Sequence, residues 1–296
     1  MTFPENCPGC GGEWVVRPQL FGQRAQSFAS CAYRCERCGI GYSNSLTPAA
    51  RRRITREPAA NVPEEVGDPD AVLKKAANVQ NRAKKREAFC SESSEDAVVW
   101  TVVSGLRQLE RLSALVADPK PDDRMDVLLW GASIDGPRSE ALEDELSQVC
   151  RDLSEGVATR SEPDIIVACD GHLTFIEAKY GSANDVQPNY RGFSKYLRNA
   201  ELFTTSPTAV AAVGLYELVR NWVIGAELAR RRESSFTLIN LGGPALTDTV
   251  AQFSAQVAQT PRRRFIHRTW RQVLDAAAPL PDWLDGYAGE RGLWTR

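Results

Sequence analysis

Asp170-Gly171 stands between two apolar, β-branched runs, Ile165 to Cys169 and His172 to Ala178, and this constrains the chain more than any other feature. An Asp-Gly pair in that setting closes a two-residue hairpin as a type I′ turn, so strands are expected over 165–169 and 172–178 with Gly171 at positive φ. The register follows. Directly opposed residues carry numbers that add to 341, which sets Asp164 against Glu177 and Glu162 against Lys179. Opposed residues share a face, with Cβ atoms about 4.5–5.5 Å apart. Two carboxylates held that close each raise the cost of ionising the other. A divalent cation removes the conflict, and hard oxygen donors with no His or Cys at that end suit Mg²⁺ or Mn²⁺ rather than zinc.

Lys179 lies two residues beyond Glu177 on the same face of the strand. There an ammonium holds an attacking water or offsets developing negative charge. Those parts suit metal-assisted hydrolysis of a phosphodiester. Pro163-Asp164, with Glu177-Ala178-Lys179 on the next strand, resembles the PD-(D/E)xK nuclease superfamily and its restriction-endonuclease-like fold. The resemblance implies that Asp164 and Glu177 ligate Mg²⁺, that Lys179 serves catalysis, and that the core runs helix, three strands, helix, strand. The bland alternative is a hairpin whose ends carry ordinary surface charges.

The flanking segments fit an α/β fold, a mixed sheet flanked by helices. Ser94 followed by Glu95 and Asp96 reads as a helix start, with Val98, Val99, Val102, Leu106, Leu109 and Leu112 at helical spacing to about residue 116. Arg124–Ile134 reads as a first strand, helices are expected near 190–204 and 208–231, Ser235–Leu241 as a further strand, and 267–278 as a helix. Glu95 is a candidate further carboxylate, because the family often supplies one from its first helix. Glu92 and Asp96 are its substitutes. An acid in a helix's first turn is also favoured by the macrodipole whatever its function.

Cys7-Pro8-Gly9-Cys10-Gly11 and Cys35-Glu36-Arg37-Cys38-Gly39 are two Cys-x-x-Cys-Gly knuckles 24 residues apart. Paired knuckles make a tetrahedral Cys₄ zinc site, and these resemble a zinc ribbon. Disulfides or thioredoxin-like chemistry fit less well, since no signal peptide or adjoining βαβ pattern is read. Cys31 stands close enough in sequence to compete as a ligand. Cys90, Cys150 and Cys169 read as buried thiols.

The domain reading is therefore a zinc ribbon over 1–46, a Pro-containing linker over 47–69 and a nuclease-like domain over 70–296. No apolar run approaches a membrane span, and a cytoplasmic location is expected. Net charge is only −2, but residues 1–90 hold 14 Lys/Arg against 9 Asp/Glu, leaving 22 against 29 for the rest. Lys74, Lys75, Arg82, Lys84, Lys85 and Arg86, on a helix starting near Asp70, are candidate nucleic-acid contacts, or else a solvated face. Arg262, Arg263, Arg264 and Arg268 form a second basic set.

Two function classes follow. One is an Mg²⁺-dependent endonuclease acting on DNA, with RNA left open. The other is a catalytically inactive nuclease-fold subunit that binds nucleic acid or assembles with a partner. Resemblance associates nuclease-plus-ribbon chains with prokaryotic restriction or antiphage defence, and double-strand cutting calls for a homodimer or a defence-system partner protein.

Overall fold

The computed structural model describes residues 4–119, 124–134, 136–188 and 190–296. The chain divides into two compact units, one of residues 1–74 and 81–101 and the other of 75–80 and 102–296.

In the first unit, β1 (Val15–Val16), β2 (Tyr33–Cys35), β3 (Ile40–Tyr42) and β4 (Arg53–Thr55) form an antiparallel sheet in that spatial order. The segment expected as a linker therefore supplies an edge strand. Ile54 is buried with Cys31 and Cys90 in a small core, and Thr55 beside it is buried too. Next come α1 (Asp70–Lys75), α2 (Arg82–Phe89) and α3 (Glu95–Gln108). The single basic helix read from sequence is thus two short ones. The periodicity read as continuing to 116 ends at Gln108, after which Glu110 takes φ 56° and breaks the helical path.

The second unit is built on a six-stranded mixed sheet. Its chain order is β5 (Asp126–Leu129), β6 (Ala132–Ser133), α4 (Pro137–Asp152), β7 (Ile165–Cys169) and β8 (His172–Ala178). Then follow α5 (Tyr190–Phe193), α6 (Pro207–Val213), α7 (Tyr216–Arg231), β9 (Ser235–Leu241), α8 (Thr247–Gln256), β10 (Arg263–Arg268), α9 (Trp270–Ala276) and α10 (Asp282–Glu290). The spatial order is β10-β9-β8-β7-β5-β6, with β7 antiparallel to both of its neighbours, β5 and β8, and β9 and β10 parallel to β8. Ile166, Leu173, Phe175 and Leu238 pack on one face with Trp222 of α7. Val127, Val167 and Ile176 are buried on the other.

The hairpin has the strand bounds read from sequence, and its pairs run from Ile165↔Ile176 to Cys169↔His172. Gly171 has φ +74°, but Asp170 does not share positive φ. A type I′ turn needs it at both central residues, so the expected turn type is corrected while the register is unchanged. The expected first strand is instead a tight hairpin, because Trp130 and Gly131 both turn left-handed and fold β6 back on β5. The expected helices near 190–204 and 208–231 are also interrupted. Gly214 takes φ +84° and a Cβ there would lie 2.4 Å from the Val186 carbonyl carbon, so the chain is pinned at that point and α7 starts afresh at Tyr216. Residues 263–268, part of the second basic set, form β10.

Candidate functional site

Four elements of the second unit bring polar side chains to one end of the sheet. Extending the hairpin register by one pair sets Asp164, just before β7, opposite Glu177 near the end of β8. Glu177 faces the same side as Leu173 and Phe175, because side chains alternate along a strand, and that side is covered by α7. Asn240 of β9 pairs with Glu177 in the parallel ladder. The first turns of α7 lay Glu217 and Asn221, four residues apart and so on one helix face, over this end.

The contacts are specific. Glu177 is 3% exposed and Lys179 6%. Lys179 Nζ donates to Glu177 Oε1 at 2.7 Å and lies 2.9 Å from Glu217 Oε2. The Asn221 side-chain amide donates to Glu177 Oε2 at 2.8 Å. Asp164 Oδ2 accepts the Ala178 backbone N–H at 2.8 Å, which ties the two strands together at the site. Asn240 Nδ2 donates to Asn184 Oδ1 at 2.8 Å behind Glu177. The Lys179 backbone is held from both sides: its N–H donates to Leu241 O at 2.7 Å and its carbonyl accepts the Trp270 indole N–H at 3.0 Å.

Burial and the neighbouring charge of Asp164 push the Glu177 carboxyl up to about 8, against the opposing pull of Lys179. Glu217 behaves oppositely. Burial works against its ionisation, but Lys179 and Arg220 outweigh it and hold its carboxyl below the ordinary range. Burial likewise disfavours a charged Arg220, but Glu177 and Glu217 outweigh it and hold the guanidinium more firmly protonated than usual. A buried acid lifted by desolvation and by a second acid is a recurrent property of functional sites.

Asp164, Glu177 and Lys179 are thus brought together. Glu95, Glu92 and Asp96 lie in the first unit, where Asp96 is bound to Lys85 at 2.9 Å; within the second unit a helix acid, Glu217, lies beside Lys179. Sequence reading missed Glu217, Asn221, Asn184 and Asn240. Asn221 did carry a signal, as the one polar residue among the apolar side chains that α7 buries, and Asn240 a weaker one, since β9 also buries Thr237. The break at Gly214 hid that Glu217 opens a helix.

The basic residues disperse. Lys74 lies 3.8 Å from Asp70, and Arg86 is bound to both Asp70 and Glu57. Lys75, Lys84 and Arg82 are exposed or half-exposed, and Lys75 belongs to the second unit. In the second set, Arg264 pairs with Asp118 and Arg268 donates to Ala114 O at 2.7 Å.

In the first unit the sulfurs of Cys7, Cys10, Cys35 and Cys38 all lie within 4.8 Å of one another, an arrangement compatible with one metal ion. The Cys38 backbone N–H is the main cause that brings the Cys35 thiol down to about 7. Cys31 is not among them. It is fully buried beside Gly41, and burial pushes its thiol up to about 12. Among the described residues, no group of three or more carboxylates gathers in the manner of these thiols.

No family model, curated protein or solved structure matches this chain. No helix among the described residues is long and apolar enough to cross a membrane.

Proposed function

We propose that the second unit is a metal-dependent nuclease of the PD-(D/E)xK kind acting on DNA, and that the four thiols of the first unit hold a structural Zn²⁺. The observation that carries the nuclease reading is the opposition of Asp164 and Glu177 across the hairpin with Lys179 on the same face. The adjacent strands β5, β7 and β8, followed by α7 and the parallel strand β9, support the restriction-endonuclease-like core that the motif implies, with β6 and α4 standing between β5 and β7 as additions to the order helix, three strands, helix, strand. Mg²⁺ binds one or two protein carboxylates and keeps several waters, so Asp164 and Glu177 suffice as its protein ligands; burial first, and then the Asp164 charge, raise the Glu177 carboxyl, and a bound cation would offset the second of these. When bound, the ion supplies Lewis-acid polarisation of a phosphoryl oxygen and a more acidic water.

The chain's own residues have separate tasks in this reading. Asn221 fixes the orientation of Glu177 through Oε2. Lys179, in contact with Glu217 and Glu177, offers a positive charge to phosphate or to an attacking water. The test is cleavage of plasmid DNA with Mg²⁺, with EDTA, and by Asp164→Ala. Mg²⁺-dependent cutting that the variant lacks supports the reading, and no cutting of DNA or RNA under Mg²⁺ or Mn²⁺ removes it.

One observation favours a second reading, a nuclease-fold subunit that binds without cutting. Lys179 Nζ already donates to Glu177 Oε1 at 2.7 Å, an internal partner of the kind that serves a site needing no metal. Mg²⁺ titration separates the two, since only the first reading requires Mg²⁺ to bind at Glu177.

A further inference from the structure

Within the first unit, a set of arginines without carboxylate partners among the described residues lies on and beside the small sheet, whereas Arg86 of the basic helix α2 is tied to acids. Lys85 and Arg86 are engaged by Asp96, Asp70 and Glu57. Residues 4–56 hold eight Arg and three Glu, with no Asp or Lys. Of those acids Glu36 is already bound by both Arg34 and Arg56, at 2.7 and 2.6 Å. Among the described residues, no carboxylate pairs with Arg17, Arg24, Arg37, Arg52 or Arg53.

The strand register decides which side of the sheet presents what. Val16 opposes Tyr33, Tyr33 opposes Tyr42 and Tyr42 opposes Arg53, so these four side chains cross the sheet in one row on one face. The adjacent row of Val15, Arg34, Gly41 and Ile54 points the other way, where Ile54 packs with Cys31 and Cys90. Each tyrosine is extended by another ring: Phe21 lies 5.3 Å from Tyr33, and Trp14 lies 5.5 Å from Tyr42. The Arg51 guanidinium sits 4.6 Å from the centre of the Tyr33 ring and 5.6 Å from that of Phe21. All four rings are half-buried. Arg53 Nε is buried with no hydrogen-bond partner among the described residues. Glu92 stands near Tyr42 as the bordering acid.

We infer that this face is a stacking platform for single-stranded DNA. Half-exposed aromatic rings and a guanidinium plane accept unpaired bases, which present free π-faces, whereas duplex bases keep theirs for their neighbours. Arg51, Arg52 and Arg53 run beside the rings and suit phosphates, which Arg binds in planar, bidentate fashion. The choice of DNA rests on the proposed nuclease activity; the platform itself does not, because its test is binding rather than cutting.

The test uses the full-length, zinc-loaded protein and a fluorescent oligothymidine of about 20 nucleotides, followed by anisotropy without Mg²⁺ or chelator. The wild type is expected to bind the single strand more tightly than a duplex of equal length. Tyr33→Leu keeps apolar bulk but loses the ring, and should weaken binding roughly tenfold. The double variant Arg52→Ala/Arg53→Ala should lower the slope of log affinity against log salt by about 1.4, or about 0.7 for each phosphate that is no longer neutralised. Zinc content reports the folded ribbon, and Arg52→Ala alone, at an exposed position, serves if Tyr33→Leu does not fold. Unchanged affinity and slope in these variants, tighter binding of duplex, or binding of oligouridine but not oligothymidine would each overturn the inference. A wild type that binds the oligonucleotide through this face yet cuts nothing with Mg²⁺ refutes the nuclease reading and leaves the platform standing. Cutting that persists while Tyr33→Leu binds like wild type does the reverse.

Discussion

Replacing Glu177 by Gln should make the second unit more stable at alkaline pH while removing any Mg²⁺ response. The Glu177 carboxyl rises from an ordinary 4.5 to about 8, first through burial and then through Asp164. The folded state therefore holds a proton on Glu177 that the unfolded state has already released between those two values. Stability falls with pH wherever the folded state binds more protons, so this group costs nothing below about 4.5 and its full penalty above about 8. At about 1.36 kcal/mol per pH unit the ceiling is about 5 kcal/mol, large beside a typical domain stability of about 5–15 kcal/mol. The substituted amide carries no charge and its oxygen still accepts from Lys179, so the variant should lose that pH dependence. The assay is urea unfolding from pH 4.5 to 9, followed by the fluorescence of Trp130, Trp222 and Trp270, which are fully buried in this unit. Mg²⁺ should recover part of the wild-type loss above pH 8, because an ion that binds only the folded state stabilises it by mass action. Parallel stability profiles for wild type and Glu177→Gln across this range would refute the reasoning.

Asn221→Leu removes the donor to Glu177 Oε2, and should cost about 1–3 kcal/mol and steepen the alkaline loss of stability; an unchanged pH profile counts against its positioning role. Cys35→Ser should release zinc, measured by metal analysis, and disorder the first unit while the Trp222 signal of the second unit persists; wild-type protein purified without chelator but lacking zinc contradicts the site. Gly214→Ala should destabilise the second unit by more than about 1 kcal/mol in urea unfolding, since φ is +84° and the new Cβ meets the Val186 carbonyl.

What was legible in the sequence was local. Two apolar runs around Asp170-Gly171 are enough for the hairpin and its register, because period-2 alternation and a two-residue loop leave one way to pair. The paired knuckles likewise brought four thiols together, whereas only packing could exclude Cys31, whose sulfur faces Gly41 and the small core. Long-range features were not legible. Arg53–Thr55 is too short to stand out as a strand, and joins the sheet because β3 offers an edge and Ile54 a small core. β10 was hidden by Arg263, Arg264 and Arg268, charges that read as a basic set and not as a strand. Glu217 reaches Lys179 only because the chain breaks at Gly214 and α7 then returns over β8. The basic residues at 74–86 gave a charge run without its partners, Asp70, Glu57 and Asp96, which only the folded chain reveals.

Isothermal titration of Mg²⁺ into the full-length protein, beside Asp164→Ala and Glu177→Gln and paired with a supercoiled-plasmid cleavage assay at pH 8, tests the central claim most directly. The nuclease reading predicts that the wild type binds Mg²⁺, releases protons as Glu177 ionises and nicks or linearises the plasmid, and that both variants lose all three. Wild-type protein that takes up no Mg²⁺ and leaves plasmid intact, or variants that still cut, would contradict it.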